Sequence, residues 1–379
     1  MRQCARAIGL PLAAVFVALA VCRCSREAPR ATAAQAFAID SQPLVTIAGS
    51  APDGAPLLGL IGRSTRLADG TIVVADYTSS TLKFFDGQGR LIRTIGRAGG
   101  GPGEFQMLNA VRRCDGDSLF ATDAAHGVSV FNSGGAFVRQ FRLPQFARLT
   151  ACSPGGVLAV VNEGEEEQPD IGKEVRRVRA PLVLADPRGE VIRELGMVSL
   201  YDIHSAGSGW LPQPGSAQAA FAVGRERMLV CPNDSDAVGV YGIRGKGRRP
   251  IPLAVPPRAP TRAYVEKVAD RFLAATPVGA FRDRLRERFL ALPPAEHLPP
   301  CSNILVDPDD NVWVVLSALG DSVTSLRIFG PDDRLLGDLT VPAALDVHEI
   351  GADYLLGSGE TAEGEPWVRV YRVSRTVAR

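Results

Sequence analysis

A repeated pattern of short strands constrains the fold of this chain more than any other feature of its sequence. The clearest copy is Leu67–Phe105, in which three apolar runs, TIVVAD, TLKFFD and RLIRTIG, are separated by polar turns. Each run is short, rich in β-branched or aromatic residues and bounded by Asp, Gly or Ser, as strands joined by tight turns are. The same order of runs begins again near Asn109, so this stretch predicts one unit of an array.

Six copies of the pattern follow one another along the chain. After the first, they begin near Asn109, Phe146, Arg227, Ser302 and Leu345. The last copy is one strand short, and an isolated strand pattern at residues 37–49 supplies the missing strand. Units of about 40 to 45 residues with four strands each are typical of a β-propeller. We therefore predict an all-β fold, a six-bladed β-propeller over residues 36–379, whose ring closes without a long free edge.

One segment, residues 262–292, does not follow the strand pattern. Its apolar residues recur at spacings of three and four on two separate faces, with Pro277 at the break. These residues are Val265, Val268, Phe272, Phe281, Leu285 and Phe289. The spacing predicts two amphipathic helices, a short helical insertion between blades four and five. Such an insertion either packs against the propeller rim or serves as a lid or partner-docking element.

The first residues have the features of an export signal. Arg2 and Arg6 precede an apolar run over residues 8–21, which is too short for an ordinary membrane span. The residues after it are small, polar and without periodicity, as a tether is. We predict a signal peptide at residues 1–21 and a tether at residues 22–35.

The sequence allows two ways of processing the predicted signal peptide. The small residues Ala18 and Ala20 offer a site for ordinary cleavage. Alternatively, Cys22 becomes the lipidated first residue, because the residues before it resemble a bacterial lipoprotein box except at Val21. The protein is thus predicted to be exported, either periplasmic or anchored to a membrane by an N-terminal lipid.

The net charge and the cysteines indicate which classes of partner and of metal site the sequence does not favour. A formal net charge of +1 gives no indication of nucleic-acid binding. Four of the seven cysteines lie in the predicted folded part: Cys114, Cys152, Cys231 and Cys301. Export permits disulfides, and four cysteines allow three pairings that the sequence does not rank. These four contain no CxxC pair, so a structural zinc site is not indicated.

The first unit resembles a blade of the NHL-repeat type. The residues that carry the resemblance are VVADYTSSTLKFFDGQGRLIRTIGRAGGGPGEF, with an Asp-Gly turn before them and a Gly-Pro-Gly-Glu-Phe connector at their end. The ending EIGADYLLG followed by WVRVYRV is similar to the last blade of exported bacterial six-bladed propellers. The resemblance implies the fold. It leaves function open, because NHL-like propellers include ligand-binding scaffolds, lactonases and lyases.

Candidate binding residues follow from that fold. In such a propeller, the loops between blades and the loops between second and third strands share one face. The residues predicted to bind ligand on this face are Asp76, Asp123, His126, His204, Trp210, His297 and His348. All four histidines of the chain map to one rim, which suggests a metal site, since the resemblance includes lyases that hold zinc with histidines. No histidine lies in an HExxH motif, and we predict neither metal nor cofactor.

Other motifs favour structure over chemistry. Asp307–Asn311 begins like a calcium loop but has Val312 where glycine is needed and Ala318 where glutamate is needed, so it is interpreted as a turn between strands. The glycines of Gly99–Phe105 lack the spacing of a phosphate loop and are interpreted as the connector between blades. No GxSxG motif is present.

The sequence therefore favours a non-catalytic exported scaffold that binds a protein, peptide or glycan through its loop face. The alternative is a metal-dependent propeller enzyme of the lactonase or lyase kind. The ligand itself is not indicated by any motif.

Overall fold

The computed structural model describes residues 35–125, 127–144, 147–153, 155–163, 174–205, 209–216, 218–232, 234–245, 247, 249–274, 276–317 and 322–377. Within these residues, six antiparallel sheets form the blades of a six-bladed β-propeller, which confirms the predicted fold class. In each blade the strands follow the chain outward from an innermost strand. The innermost strands together surround the central channel.

The first half of the chain supplies two N-terminal strands and three blades. The N-terminal strands are β1 (Gln35–Ile39) and β2 (Val45–Ala48). Blade 1 consists of β3 (Ile61–Arg66), β4 (Ile72–Asp76), β5 (Thr81–Phe85) and β6 (Leu91–Ile95). Blade 2 consists of β7 (Leu108–Cys114), β8 (Ser118–Asp123), β9 (Gly127–Phe131) and β10 (Phe137–Phe141). Blade 3 consists of β11 (Ala147–Cys152), β12 (Leu158–Asn162), β13 (Val175–Ala185), β14 (Val191–Ser205) and β15 (Trp210–Pro212).

The second half supplies three blades and the insertion. Blade 4 consists of β16 (Ala220–Val223), β17 (Arg227–Cys231), β18 (Ala237–Gly242) and β19 (Ile251–Pro252). The insertion consists of α1 (Arg262–Phe272) and α2 (Ala280–Leu290). Blade 5 consists of β20 (Cys301–Val306), β21 (Val312–Leu316), β22 (Val323–Phe329) and β23 (Leu335–Pro342). Blade 6 consists of β24 (Asp346–Ile350), β25 (Tyr354–Glu360) and β26 (Pro366–Val377).

The core lies between neighbouring blades. In blade 1, every residue of β4 is buried, whereas the outer strand β6 is largely exposed. Middle strands are apolar on both faces because a blade covers each face. Between blades 1 and 2, for example, Val73 and Phe84 pack with Leu119 and Phe131. The innermost strands approach so closely that a Cβ on Gly62 of β3 would lie 2.2 Å from the carbonyl oxygen of Asn109, so glycine is required there.

The two ends of the chain close the ring, as the sequence predicts. The N-terminal segment differs from the prediction in forming two short strands instead of one. Strand β26 is 12 residues long, and it pairs with β2 near Val370 and with β1 near Arg375. Both short strands therefore cover the outer edge of blade 6, and the turn between them contains Pro43, which cannot donate to a ladder.

The helical insertion lies between β19 of blade 4 and β20 of blade 5, as predicted. Thr261 caps α1 by accepting a hydrogen bond from the backbone N–H of Tyr264 at 3.2 Å. Phe272 and Phe289 stack across the two helices, whereas Phe281 stays 65% exposed. No helix among the described residues has both the length and the apolar character of a membrane span.

Two disulfides join neighbouring blades and resolve the pairing that the sequence leaves open. Cys114 of β7 pairs with Cys152 of β11, so the innermost strands of blades 2 and 3 are linked. Cys231 of β17 pairs with Cys301 of β20, which links blades 4 and 5 on the two sides of the insertion.

Candidate functional site

The wall of the central channel is polar, and β-bulges are the local cause. The innermost strands of five blades each depart from regular pairing with their second strand. The polar residues left unpaired at these bulges are Arg63, Asn109, Thr150, Ser302 and His348. A bulge bends the strand and re-aims the side chain of the extra residue. Alternation of apolar and polar residues does not reveal a bulge, so this feature cannot be predicted from the sequence.

An arginine cluster lies on the innermost strands of blades 1, 2 and 3. Its members are Arg63 of β3, Arg112 of β7 and Arg148 of β11. Burial lowers the pKa of Arg63, and the carboxylates of Asp346 and Glu349 partly oppose that effect. Burial, followed by the charges of Arg63 and Arg148, lowers the pKa of Arg112 to about 9. Arg112 is thus close enough to Arg63 and to Arg148 to be repelled by both.

His348 connects blade 6 to blade 1 and is neutral. The backbone N–H of Ser64 donates to His348 Nδ1 at 3.0 Å, so the ring proton must lie on Nε2. Nε2 lies 3.2 Å from Ser358 Oγ, which completes the hydrogen bonding of the ring. Burial lowers the pKa of His348 to about 4, and the nearby charge of Asp346 only partly counters it. Both ring nitrogens are therefore already used within the fold.

A cap, defined as α1, α2, β15 and the extended ends of β13 and β14, lies on the face from which the insertion arises. Leu211 of β15 packs with Val265, Ala269 and Phe289 of the helices. The backbone N–H of Ala295 donates to the carbonyl of Pro214 at 2.7 Å. These contacts attach the insertion from blades 4 and 5 to the extension of blade 3.

The cap also reaches the opposite side of the ring. Arg271, in the last turn of α1, lies 2.6 Å from Asp346 at the start of β24. Asp346 begins the innermost strand of blade 6, and in a ring of six, blade 6 is opposite blade 3. The contact with Asp346 therefore places the end of α1 at the mouth of the channel. The sequence predicts the helices but not this contact, because no pattern links Arg271 to a residue 75 positions away.

Asp76 and Asp123, predicted to bind ligand, hold connectors in place. Asp76 is buried, forms an ion pair with Lys83 at 2.6 Å, and accepts a hydrogen bond from the N–H of Gly59 at 3.1 Å. Burial would raise the pKa of Asp76, but these interactions keep it below its ordinary value. Asp123 Oδ2 accepts from the backbone N–H of Gln106 at 2.7 Å. Each aspartate therefore fixes the connector that leads into the innermost strand of its own blade.

His204 and Trp210 come together in the extension of blade 3, and His297 lies apart from them. His204 is buried with Nδ1 2.8 Å from the carbonyl of Ser205, while Trp210 is partly exposed and stacks against the guanidinium of Arg176. His297 follows α2 and lines a groove beside blades 4 and 5, together with Asp234. His126 and Cys22 lie outside the described residues. Among the residues described, no group of three or more His, Cys, Asp or Glu is arranged to hold a metal ion.

The two remaining motifs form turns. Asp307 Oδ1 accepts from the backbone N–H groups of Asp309 and Asn311, both at 2.9 Å, between β20 and β21. Its other oxygen accepts from Trp313 Nε1 at 2.9 Å. In the glycine connector, Glu104 Oε2 accepts from the N–H of Gly101 at 2.8 Å. Both carboxylates are consumed by the turns that contain them.

A match to a protein-family model supports the fold. A family model described as a 6-bladed beta-propeller (DUF5128) matches residues 57–157. No curated protein sequence matches the chain. A solved structure of an exported protein from Bacteroides fragilis is 13% identical, with a TM-score of 0.46, and the match covers 90% of this chain and 96% of that one. A member of the duf4221 family from Bacteroides vulgatus is 11% identical, with a TM-score of 0.47, and the match covers 91% of this chain and 100% of that one.

An enzyme is also among the similar structures. Virginiamycin B lyase from Staphylococcus aureus, solved with quinupristin, is 8% identical, with a TM-score of 0.45, and the match covers 93% of this chain and 97% of that one. Similarity at this level carries no argument about activity or ligand. What the family model and the six sheets establish together is a six-bladed β-propeller.

Proposed function

We propose that this protein is an exported, non-catalytic propeller of the NHL-like kind that binds a protein, peptide or glycan at the channel mouth, beneath the cap. The observation that carries the proposal is the contact of Arg271 with Asp346, which brings the helical insertion over the innermost strand of blade 6. Loops and insertions on a rigid propeller frame are where binding residues concentrate.

The energetics of that contact suit a movable cover. Arg271 is 75% exposed and Asp346 44% exposed, so their ion pair is a surface pair. Surface pairs contribute at most about 1 kcal/mol, which thermal motion opens readily. At its other end the cap is attached by buried apolar contacts around Phe289, which are far harder to break. The cap is therefore suited to opening on the side of blade 6 while it stays attached to blade 3.

Two observations support export. Both disulfides join separate blades, and disulfides persist in oxidising compartments. The apolar segment at residues 8–21 has the pattern of an export signal. Lipidation of Cys22 would anchor the propeller to a membrane, and mass spectrometry of the N-terminal peptide from the native host distinguishes it from simple cleavage.

The binding proposal is tested with peptide and glycan arrays. The wild-type protein is compared with a variant in which residues 262–292 are replaced by a short Gly-Ser linker. We expect discrete ligands for the wild-type protein and their loss in the deletion variant, with a cooperative thermal transition retained in both. The proposal fails if the wild-type protein binds nothing on either array, or if the deletion variant retains the same ligands.

A matched pair of variants tests whether the insertion acts in ligand binding or only packs against the propeller. Arg271→Gln removes the contact with Asp346 and leaves α1 intact. Arg262→Gln changes an arginine at the other end of α1, whose one ion pair among the described residues is with Glu266 in the same helix. We expect ligand binding to change in the first variant and to stay as in the wild type in the second.

The alternative, a metal-dependent lactonase or lyase, has less support among the described residues, which do not bring three potential ligands together. Metal analysis of the purified protein tests it. One stoichiometric divalent ion would favour the enzyme over the scaffold.

A further inference from the structure

Two members of the arginine cluster, Arg63 and Arg112, have charges that no described carboxylate neutralises, whereas Arg148 is paired with Glu163. Neither Arg63 nor Arg112 forms an ion pair with any described residue. Arg63 donates through Nη2 to the backbone carbonyl of His348 at 2.6 Å. Arg112 makes no side-chain hydrogen bond within the described part of the chain, and its Nη1 atom is shielded from solvent. Arg148 uses Nε to reach Glu163, which leaves its Nη2 atom buried and unpartnered as well.

The carboxylates nearby are engaged elsewhere. Glu349 accepts hydrogen bonds from Thr65 and Tyr354 and from the backbone N–H of Arg66. Asp346 is held by Arg271 of the cap. Glu349 cannot turn toward Arg112 without leaving its own donors unsatisfied, and no described contact joins Asp346 to Arg112.

An unpaired guanidinium with a nitrogen shielded from solvent, as in Arg112, is costly. Burying a charge without a partner costs several kcal/mol, and a buried donor without an acceptor adds to that cost. Three like charges on neighbouring strands increase it through mutual repulsion. A fold that retains such a cluster beneath a cap has the arrangement of a site whose counter-charge arrives with a ligand.

We propose that Arg63, Arg112 and Arg148 bind an oxyanion group, a carboxylate or a phosphate, of the ligand that enters the channel beneath the cap. This inference rests on the proposed function and specifies the chemistry of the ligand. Arginine suits the role because its planar fork of N–H donors matches the oxygens of both groups. The buried Nη1 of Arg112 and Nη2 of Arg148 are the donors that the oxyanion satisfies. His348 takes no part, because its two nitrogens are occupied by Ser64 and Ser358.

The test uses defined anions and the full mature protein. Thermal unfolding and isothermal titration are measured with inorganic phosphate and with succinate, each against sodium chloride at equal ionic strength. We expect at least one of the two anions to bind the wild-type protein and to raise its unfolding temperature. Arg112→Met should weaken that binding by about tenfold or more. In chloride alone, this variant should unfold at the same temperature as the wild type or a higher one.

Matched variants keep the test decisive. Arg90→Met removes an exposed arginine from the turn between β5 and β6, where it pairs with Asp86, and should leave anion binding unchanged. If Arg112→Met does not fold, Arg63→Gln serves in its place, with the same expected loss of binding.

Each outcome assigns or overturns the site. Response to phosphate alone identifies a phosphorylated ligand, response to succinate alone identifies a carboxylate ligand, and response to both leaves the shared oxyanion chemistry. The inference is overturned if neither anion acts beyond chloride, or if Arg112→Met binds as the wild type does. Array ligands that require the cap but do not depend on Arg112 would sink this inference and leave the proposed function standing.

Discussion

At the residue scale, His348 shows how a polar side chain on the channel wall becomes part of the frame. The sequence predicts His348 to bind ligand on the loop face. In the structure it lies at a bulge in β24, and its ring reaches Ser64 in blade 1. Its two hydrogen bonds fix one neutral tautomer. Neutrality in this position also limits the positive charge near the arginine cluster. The physical role of His348 is thus to join the last blade to the first.

That role has a pH dependence. The folded-state pKa of His348, about 4, lies below the ordinary value of 6.5. Between these two values the unfolded chain binds a proton that the folded chain does not, so stability falls as the pH falls from 6.5 to 4. The difference between the two pKa values corresponds to about 3 kcal/mol of unfolding free energy at most. This stabilisation is lost in full once the pH is below the folded-state pKa.

His348→Asn keeps an acceptor for Ser64 and removes the titration. We expect the free energy of unfolding of this variant, measured by urea denaturation at neutral pH and at about pH 5, to depend less on pH than that of the wild type. His297→Asn is the control, because His297 is exposed in a loop. An equal pH dependence in His348→Asn and wild type would contradict this assignment.

At the element scale, the two disulfides and the cap connect different pairs of blades. Cys114–Cys152 joins innermost strands, and Cys231–Cys301 lies beside the segment from which the helices depart. The insertion interrupts the connection between blades 4 and 5, so a covalent link there compensates for a long excursion of the chain. With this bond, opening of the cap as proposed would not separate the blades beneath it.

Removing either disulfide should therefore destabilise the propeller without unfolding it under ordinary conditions. The bonds close loops of 38 and 70 residues. For loops of this length, we expect the removal of each bond to lower the free energy of unfolding by about 2–4 kcal/mol. Cys114→Ala with Cys152→Ala, and Cys231→Ala with Cys301→Ala, are compared with the wild type by guanidinium denaturation. A loss near zero in either pair would show that the bond does not constrain the unfolded chain.

At the scale of the whole molecule, the sequence was most informative where the pattern repeats. The strands of blade 1, the closure by the N-terminus and the helices at 262–292 follow from local patterns, because strand and helix periodicities are visible along the chain. The arginine cluster and the contact of Arg271 with Asp346 could not be predicted. The cluster depends on the bulge at Arg63 and on the approach of three separate strands, and the contact depends on the meeting of distant segments, for which a single sequence carries no signal. The predicted aspartates, Asp76 and Asp123, have the expected placement near connectors, but their oxygens serve the turns.

The helical insertion extends from β15 of blade 3 to Asp346 of blade 6 at the mouth of the channel. Chemical crosslinking of α1 to blade 6 tests this placement. Arg271→Cys and Asp346→Cys are combined in a background with Cys4, Cys22 and Cys24 replaced by serine, and the protein is treated with a short bismaleimide. The four remaining cysteines are held in disulfides and do not react.

Arg262→Cys with Asp346→Cys is the control, because Arg262 is about 13 Å farther along α1. Intact mass spectrometry should show an internal crosslink in most molecules of the first variant and few of the second. Equal, low crosslinking in both would contradict the claim that the cap covers the channel.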